Sequence, residues 1–266
     1  MTELTPSYTG APAQTPLPRF SWRRIMQLAA LYRRPLRAQW LIYIIAIPAI
    51  YLGMVFLADL KPLFTILVSL LTLGAPLVFC RRDNTLIRMA PVTGAERMTF
   101  YMVYTFIFVP VVLELYFTVL QGTGSLVSPA GVVYTGIFDL QARALEANLS
   151  MREAVLLFAG SYCISFLVIS MILYGALFGR NPVKAAILYG AGTYAAVMLV
   201  VITYAIVLGF MAAQSLPADS DPDPYQAGFQ AGNDFVAHMP MMMVNIGVTA
   251  LGLFVIVCVK MYRRLR

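Results

Sequence analysis

Glu114, Ser161 and His238 are the residues whose chemistry draws attention first, because each stands within or beside a long apolar run. A charged side chain at the centre of a membrane helix costs about 2.5–3.5 kcal/mol on insertion scales, which makes Glu114 a candidate for a substrate pathway or gate. Its position sixteen residues beyond Met98 puts it about 24 Å along a helix, close to the far interface. There a structural carboxylate can also snorkel or pair with Arg152. His238, the only histidine, and Asn245 complete the set of candidate pathway or gate residues. Ser161, in AGSYC, and His238 both fall toward the same ends of their helices, which raises an intramembrane serine hydrolase as a third-ranked reading. No oxyanion-hole motif accompanies them, and Cys163 stands two residues beyond Ser161, where such nucleophiles often carry glycine.

Other chemistries have less to stand on. The three lysines are Lys61, Lys184 and Lys260, and none closes a glycine-rich phosphate loop, so the chain is not itself a Walker-type ATPase. Cys80, Cys163 and Cys258 have no metal-ligand spacing and imply no disulfide framework. The net charge of +7 does not point to nucleic acid, because the basic residues lack interleaved aromatic platforms and sit beside apolar segments. Membrane lipids with anionic head groups are the better partner.

The elements that must position these residues are helices in a bilayer. Apolar residues make up 60% of the chain and charged residues 12%, against about 45–50% and about 25% in soluble domains. Apolar stretches run from about 39–58, 62–80, 98–120, 154–179, 183–213 and 237–260, each near or above the roughly 20 residues that span a bilayer as helix. The expectation is an all-α membrane protein with six transmembrane helices, residues 20–266 forming one transmembrane domain. Only the fifth stretch is long enough to raise the question of a tilt or a break. If the N-terminus is cytoplasmic, all of the 19 basic residues except Lys61, Arg143 and Arg152 fall on the inside, while most acidic residues fall in the outer loops. The positive-inside rule then places both termini in the cytoplasm. Residues 1–19, rich in Thr, Pro and Ala, read as a disordered cytoplasmic tail without a signal peptide, the first span acting as insertion signal.

Residues 20–34 suit an interfacial amphipathic helix, with Trp22, Ile25, Leu28, Ala29 and Tyr32 on one face and arginines, including Arg23 and Arg24, elsewhere. Ser21 is its expected N-cap, and Pro35 is expected to end or kink it. In the connection RRDNTLIRMAPVTGAER, a short helix should be followed by a turn, with Thr93 and Glu96 forming a capping box at the start of the third span. The outer segment 121–153 is expected to hold a small external helix or re-entrant cap, with helical periodicity ending at Asn148 or Ser150. The acidic loop after the fifth span is expected to dip toward the membrane before Pro240 opens the sixth. Gly190, Gly192, Gly209, Gly247 and Gly252 read as close-packing positions between helices, and Pro48, Pro76 and Pro110 as sources of kinks. Met239, Met241, Met242 and Met243 at the start of the sixth span read as packing residues or an adaptable apolar patch.

This order of parts, from RFSWRRIMQLAALYRR to the basic tail KMYRRLR, resembles the membrane subunits of ABC-2 type exporters over nearly all of the chain beyond residue 19. MAPVTGAERM is similar to the LP-A-[ST]-x-x-E-[KR] stretch at the inner start of the third span in Bacteroidetes-type ABC permease-like proteins. Pro91, Thr93, Glu96 and Arg97 match it, and Ala90 and Val92 depart from it. The resemblance implies a bacterial inner-membrane permease without enzymatic activity of its own. It implies a homodimer or a heterodimer with a second permease chain, resting on a cytoplasmic ABC ATP-binding subunit that holds ATP and Mg. It also implies that residues 20–34 are an elbow helix, carrying Trp22, Arg23, Arg24, Ile25, Leu28 and Tyr32. The coupling element would be Arg82 to Met89, with Arg82, Asp83, Leu86, Ile87, Arg88 and Met89 meeting the partner. An ATP-independent membrane scaffold or a secondary transporter is the alternative, although neither an internal repeat nor a paired carboxylate site supports the latter.

Overall fold

A computed structural model of the chain describes residues 20–56, 67, 70–80, 92–124, 150–214 and 224–266, and among them every regular element is helical. Five helical segments are long and apolar enough to cross a membrane: Arg33–Gly53, Gly94–Leu120, Met151–Phe178, Pro182–Val207 and His238–Leu265. The expected second span contributes only the shorter apolar helix Leu70–Cys80 to the described residues. The coupling residues Arg82, Asp83, Leu86, Ile87, Arg88 and Met89 lie outside the described residues, as does nearly all of the proposed external helix.

Helix α1 (Trp22–Leu31) precedes α2 (Arg33–Phe56), and only Tyr32 separates them. Proline sets this break. Pro35 offers no N–H to the carbonyl of Leu31 and its ring crowds that carbonyl, so the first helix stops there and Pro35 falls in the opening turn of the next. Ser21 does occupy the N-cap position of α1, but its side chain makes no capping bond; its carbonyl accepts from the amides of Arg24 and Ile25 instead. Pro48 is carried inside α2. At Gly74 the α-helical turn gives way to a 3₁₀ segment, Ala75–Cys80, with Pro76 buried within it.

The third span begins with α3 (Gly94–Met102), passes through a π-helical segment at Val103–Phe108 and continues as α4 (Val109–Gly124). Pro110 accounts for the wider turn, since it cannot donate to the carbonyl of Phe106 and the backbone ahead of it relaxes away from α-helical register. The expected capping box at Thr93 and Glu96 is present. A second one, at Ser150 and Glu153, opens α5 (Met151–Phe178), so Ser150 starts this helix and does not end an external one.

Helix α6 (Pro182–Gln214) is one continuous helix of 33 residues, about 50 Å long, without the break that its length allowed. Helix α7 (Pro224–Leu265) runs for 42 residues and carries Pro240 in its interior. The expectation that Pro240 opens the last helix is thereby corrected: Pro224, at the first helical position where its missing N–H is harmless, opens it.

Helix α5 is the hub, packing most extensively on α7 and then on α6, with the 3₁₀ segment also against it. Backbones approach closely where side chains are absent. A Cβ added to Gly160 of α5 would strike the backbone of Met243 on α7, and one added to Gly247 would come within 2.8 Å of the Gly160 Cα. At Gly175 the same addition would meet the backbone of Ala185 and Ala186 on α6 at 2.7 Å, and at Gly190 it would meet the Ile172 side chain at 2.5 Å. Gly192 and Gly252 have open space where a Cβ would stand, so they are not contact glycines; the surroundings of Gly209 lie outside the described residues. Of the methionines that open the apolar part of α7, Met242 is fully buried and Met241 exposed.

Candidate functional site

The residues that the sequence brings into one place are those around the start of α3. Glu96 has no exposed surface. One of its carboxylate oxygens closes the capping box by accepting from the Thr93 amide at 2.8 Å, while the Thr93 hydroxyl accepts from the Glu96 amide at 3.2 Å. The other lies 2.6 Å from the Arg24 guanidinium and accepts from the Ser21 amide at 2.7 Å. The Arg24 Nε also reaches both oxygens, at 2.9 and 3.1 Å. A side chain legible as a local cap is thus also the anchor for the N-terminus of α1, over 72 residues of chain. Charge-assisted, forked contacts of this kind are strong and fix orientation as well as distance.

Below this ion pair lies an aromatic cluster. Tyr32, between α1 and α2, is almost wholly buried, with its hydroxyl 3.1 Å from that of Tyr101 and its ring edge-on to Phe79 at 5.3 Å. Phe79 in turn meets Phe100, Tyr101 and Tyr104 at 4.7–5.9 Å. Burial, followed by the neighbouring Tyr101, pushes the Tyr32 hydroxyl well above its ordinary range, so it acts as a neutral hydrogen-bonding group. Deeper still, Tyr104 donates to Gln39 at 2.7 Å, and the Gln39 amide donates to the Tyr43 hydroxyl at 2.6 Å and to the Ala75 carbonyl at 3.3 Å. Tyr43 donates onward to the Leu71 carbonyl at 3.0 Å. These donors supply partners to carbonyls beside the α-to-3₁₀ change, where an apolar environment offers no water.

The C-terminus joins the same place. A Cβ on Gly94, the first residue of α3, would sit 2.7 Å from the Leu265 carbonyl, so the end of α7 rests on bare backbone here. One residue back, the Arg264 guanidinium stands over the rings of Tyr174 and Phe178 of α5, at 5.4 and 5.5 Å, and the Lys260 ammonium stands over Tyr174 at 5.8 Å. The start of α1, the start of α3, the end of α5 and the end of α7 therefore share one end of the bundle. Of the described basic residues, only Arg152, at the start of α5, stands at the other.

The expected site residues divide accordingly. Arg24, Ile25, Leu28 and Tyr32 face the protein, whereas Arg23 is exposed and Trp22 is 61% exposed. Trp22 lines one groove together with Ile25 and Ala29 of the same helix. Glu114 is buried in α4, and Arg152 is exposed and forms no ion pair with it among the described residues. His238 and Asn245 are exposed along α7, two turns apart, whereas Glu114 is buried in α4. The Ser161 hydroxyl donates back to the Leu157 carbonyl at 2.9 Å. Among the described residues no group of His, Cys, Asp and Glu can hold a metal ion.

Two features had no sequence signal beyond their residue types. Arg24 is one of two adjacent arginines in α1, and nothing local marks it rather than Arg23 as the paired one. Gln39 is an amide at the mouth of an apolar run, which on its own reads as an interfacial residue. Compared with known protein families, curated proteins and solved structures, the chain gives no match.

Proposed function

We propose that this chain is the membrane-embedded permease subunit of an ATP-driven exporter of the ABC-2 type, seated in a bacterial inner membrane. The observation that carries the reading is the Arg24–Glu96 junction. In such a machine, motion of an ATP-binding subunit must pass from a cytoplasmic connection into the membrane helices. Here the connection 81–91 leads within a few residues into Thr93–Glu96, which is bonded to α1 and packed beneath the end of α7. On this reading a push delivered to the start of α3 would reach α1 and α7 through one polar and aromatic junction.

On this reading the basic end of the bundle faces the cytoplasm, α1 is the elbow helix lying along the membrane surface, and Leu70–Cys80 belongs to a second span, making six. ATP and Mg belong to the partner, and two permease chains enclose the pathway. Helix α6 suits the wall between them or the lipid face, since Leu188, Leu199 and Ile206 along it are strongly exposed.

The test is affinity purification of the tagged full-length chain in mild detergent from its own host, with mass identification of bound proteins and an ATPase assay. A stoichiometric ABC ATP-binding subunit is expected, lost or uncoupled when Arg82 and Arg88 are both reversed to Glu. A chain that comes away alone and inactive from several detergents would overturn the proposal in favour of a scaffold or secondary transporter.

A further inference from the structure

Between α1, α2 and the π-helical segment of the third span runs an open groove of about 740 Å³, within the range of roughly 300–1,000 Å³ typical of small-molecule sites. Its walls are apolar apart from Thr99, Tyr104 and two arginines. Trp40, Leu41 and Ile44 of α2 and Phe108 of the π segment line its length, and the only charged residues on it are Arg33 and Arg37. Both are exposed, and among the described residues neither is paired with a carboxylate. They stand one turn apart on one face of α2, a spacing at which two side chains are neighbours.

We infer that this groove is a binding site for one anionic phospholipid, its phosphate held between Arg33 and Arg37 and an acyl chain laid along Trp40, Leu41 and Ile44. Charge complementarity identifies the occupant: a planar, permanently charged pair of guanidinium forks matches a phosphate diester, and the apolar trough beneath it matches hydrocarbon. The dimensions agree. From Arg33 to Ile44 the helix rises about 16 Å, and one leaflet of a roughly 30 Å hydrocarbon core is about that deep. Trp22 and Trp40, the only tryptophans of the chain, both line the groove, as expected where a head-group region borders hydrocarbon. The inference depends on the membrane character of the chain and not on what it transports.

Native mass spectrometry of the full-length chain in detergent tests it, with phosphatidylglycerol and phosphatidylcholine of identical acyl chains added in equal amounts. One phosphatidylglycerol molecule is expected to remain bound in preference to phosphatidylcholine. The double variant Arg33→Gln with Arg37→Gln is expected to weaken its retention roughly tenfold or more. Arg23→Gln with Arg34→Gln, which removes the same charge from the same end at exposed positions off the groove, is expected to leave it unchanged. Ala30→Trp, which fills the groove and keeps both arginines, is expected to abolish it. Equal retention of the two lipids, equal loss in the two arginine pairs, or retention in Ala30→Trp would each overturn the inference. So would a disulfide between two copies of an Ile44→Cys chain, which would give the groove to a second protomer.

Discussion

At the junction of α1 with α3 the chain is held by directional contacts: one carboxylate receives a guanidinium fork and two backbone amides, and five aromatic rings interlock beneath it. Between α5 and α7 the described contacts are of another kind: bare backbone meets at Gly160 and Gly247, and at one end Lys260 and Arg264 of α7 lie over the Tyr174 and Phe178 rings of α5. The difference follows from what each region must exclude. In a bilayer, apolar side chains gain little by leaving lipid for protein, so long helices associate through close van der Waals approach of small residues. A short amphipathic helix such as α1 has no such length to use, and needs a specific partner to fix its position.

The contrast breaks most sharply at Glu96. Replacing it with Ala leaves Arg24 and two amides without their acceptor, and removing one member of a buried ion pair costs about 3–5 kcal/mol. The expected outcome is a large fall in thermal stability in detergent together with protease access to α1. A double-mutant cycle with Arg24→Ala should recover a substantial coupling energy; additive losses would mean that the pair is not what anchors α1.

Next in size is Gly160→Val, which forces branched bulk against the Met243 backbone and separates α5 from α7 at an expected cost of about 1–3 kcal/mol. This variant should lower the melting temperature while leaving the protease pattern of α1 unchanged, which distinguishes the two regions. The smallest effect is a gain. Gly252→Ala meets no neighbour and should raise stability by about 0.5–1 kcal/mol through helix propensity alone, and a loss there would show that α7 is packed at Gly252 after all.

Sequence reasoning reached the two regions unequally. The capping box at Thr93 and Glu96 was legible because its partners are three residues apart, and the start of a helix is governed by such local bonds. Glycine roles were legible only as a class. Gly247 and Gly252 look alike in sequence, and which of them meets Gly160 depends on which face of α7 turns toward α5. Proline was likewise ambiguous: Pro35 and Pro240 each promised a helix boundary, and only Pro35 sits at one, because a long helix can carry a proline that an amphipathic junction cannot.

What the sequence determined by itself is the membrane class, the helical content, the capping box and the segregation of basic residues, all of which follow from composition, run length and contacts within a turn. The tertiary structure decided that Arg24 among the arginines of α1 meets Glu96, that the C-terminal backbone rests on Gly94, and that Gln39 serves the carbonyls of another helix. The physical reason is common to all three. Apolar periodicity tells a helix that it belongs in the membrane, but lipid and protein are equally apolar neighbours, so the pattern carries no information on which face meets which partner until the helices pack.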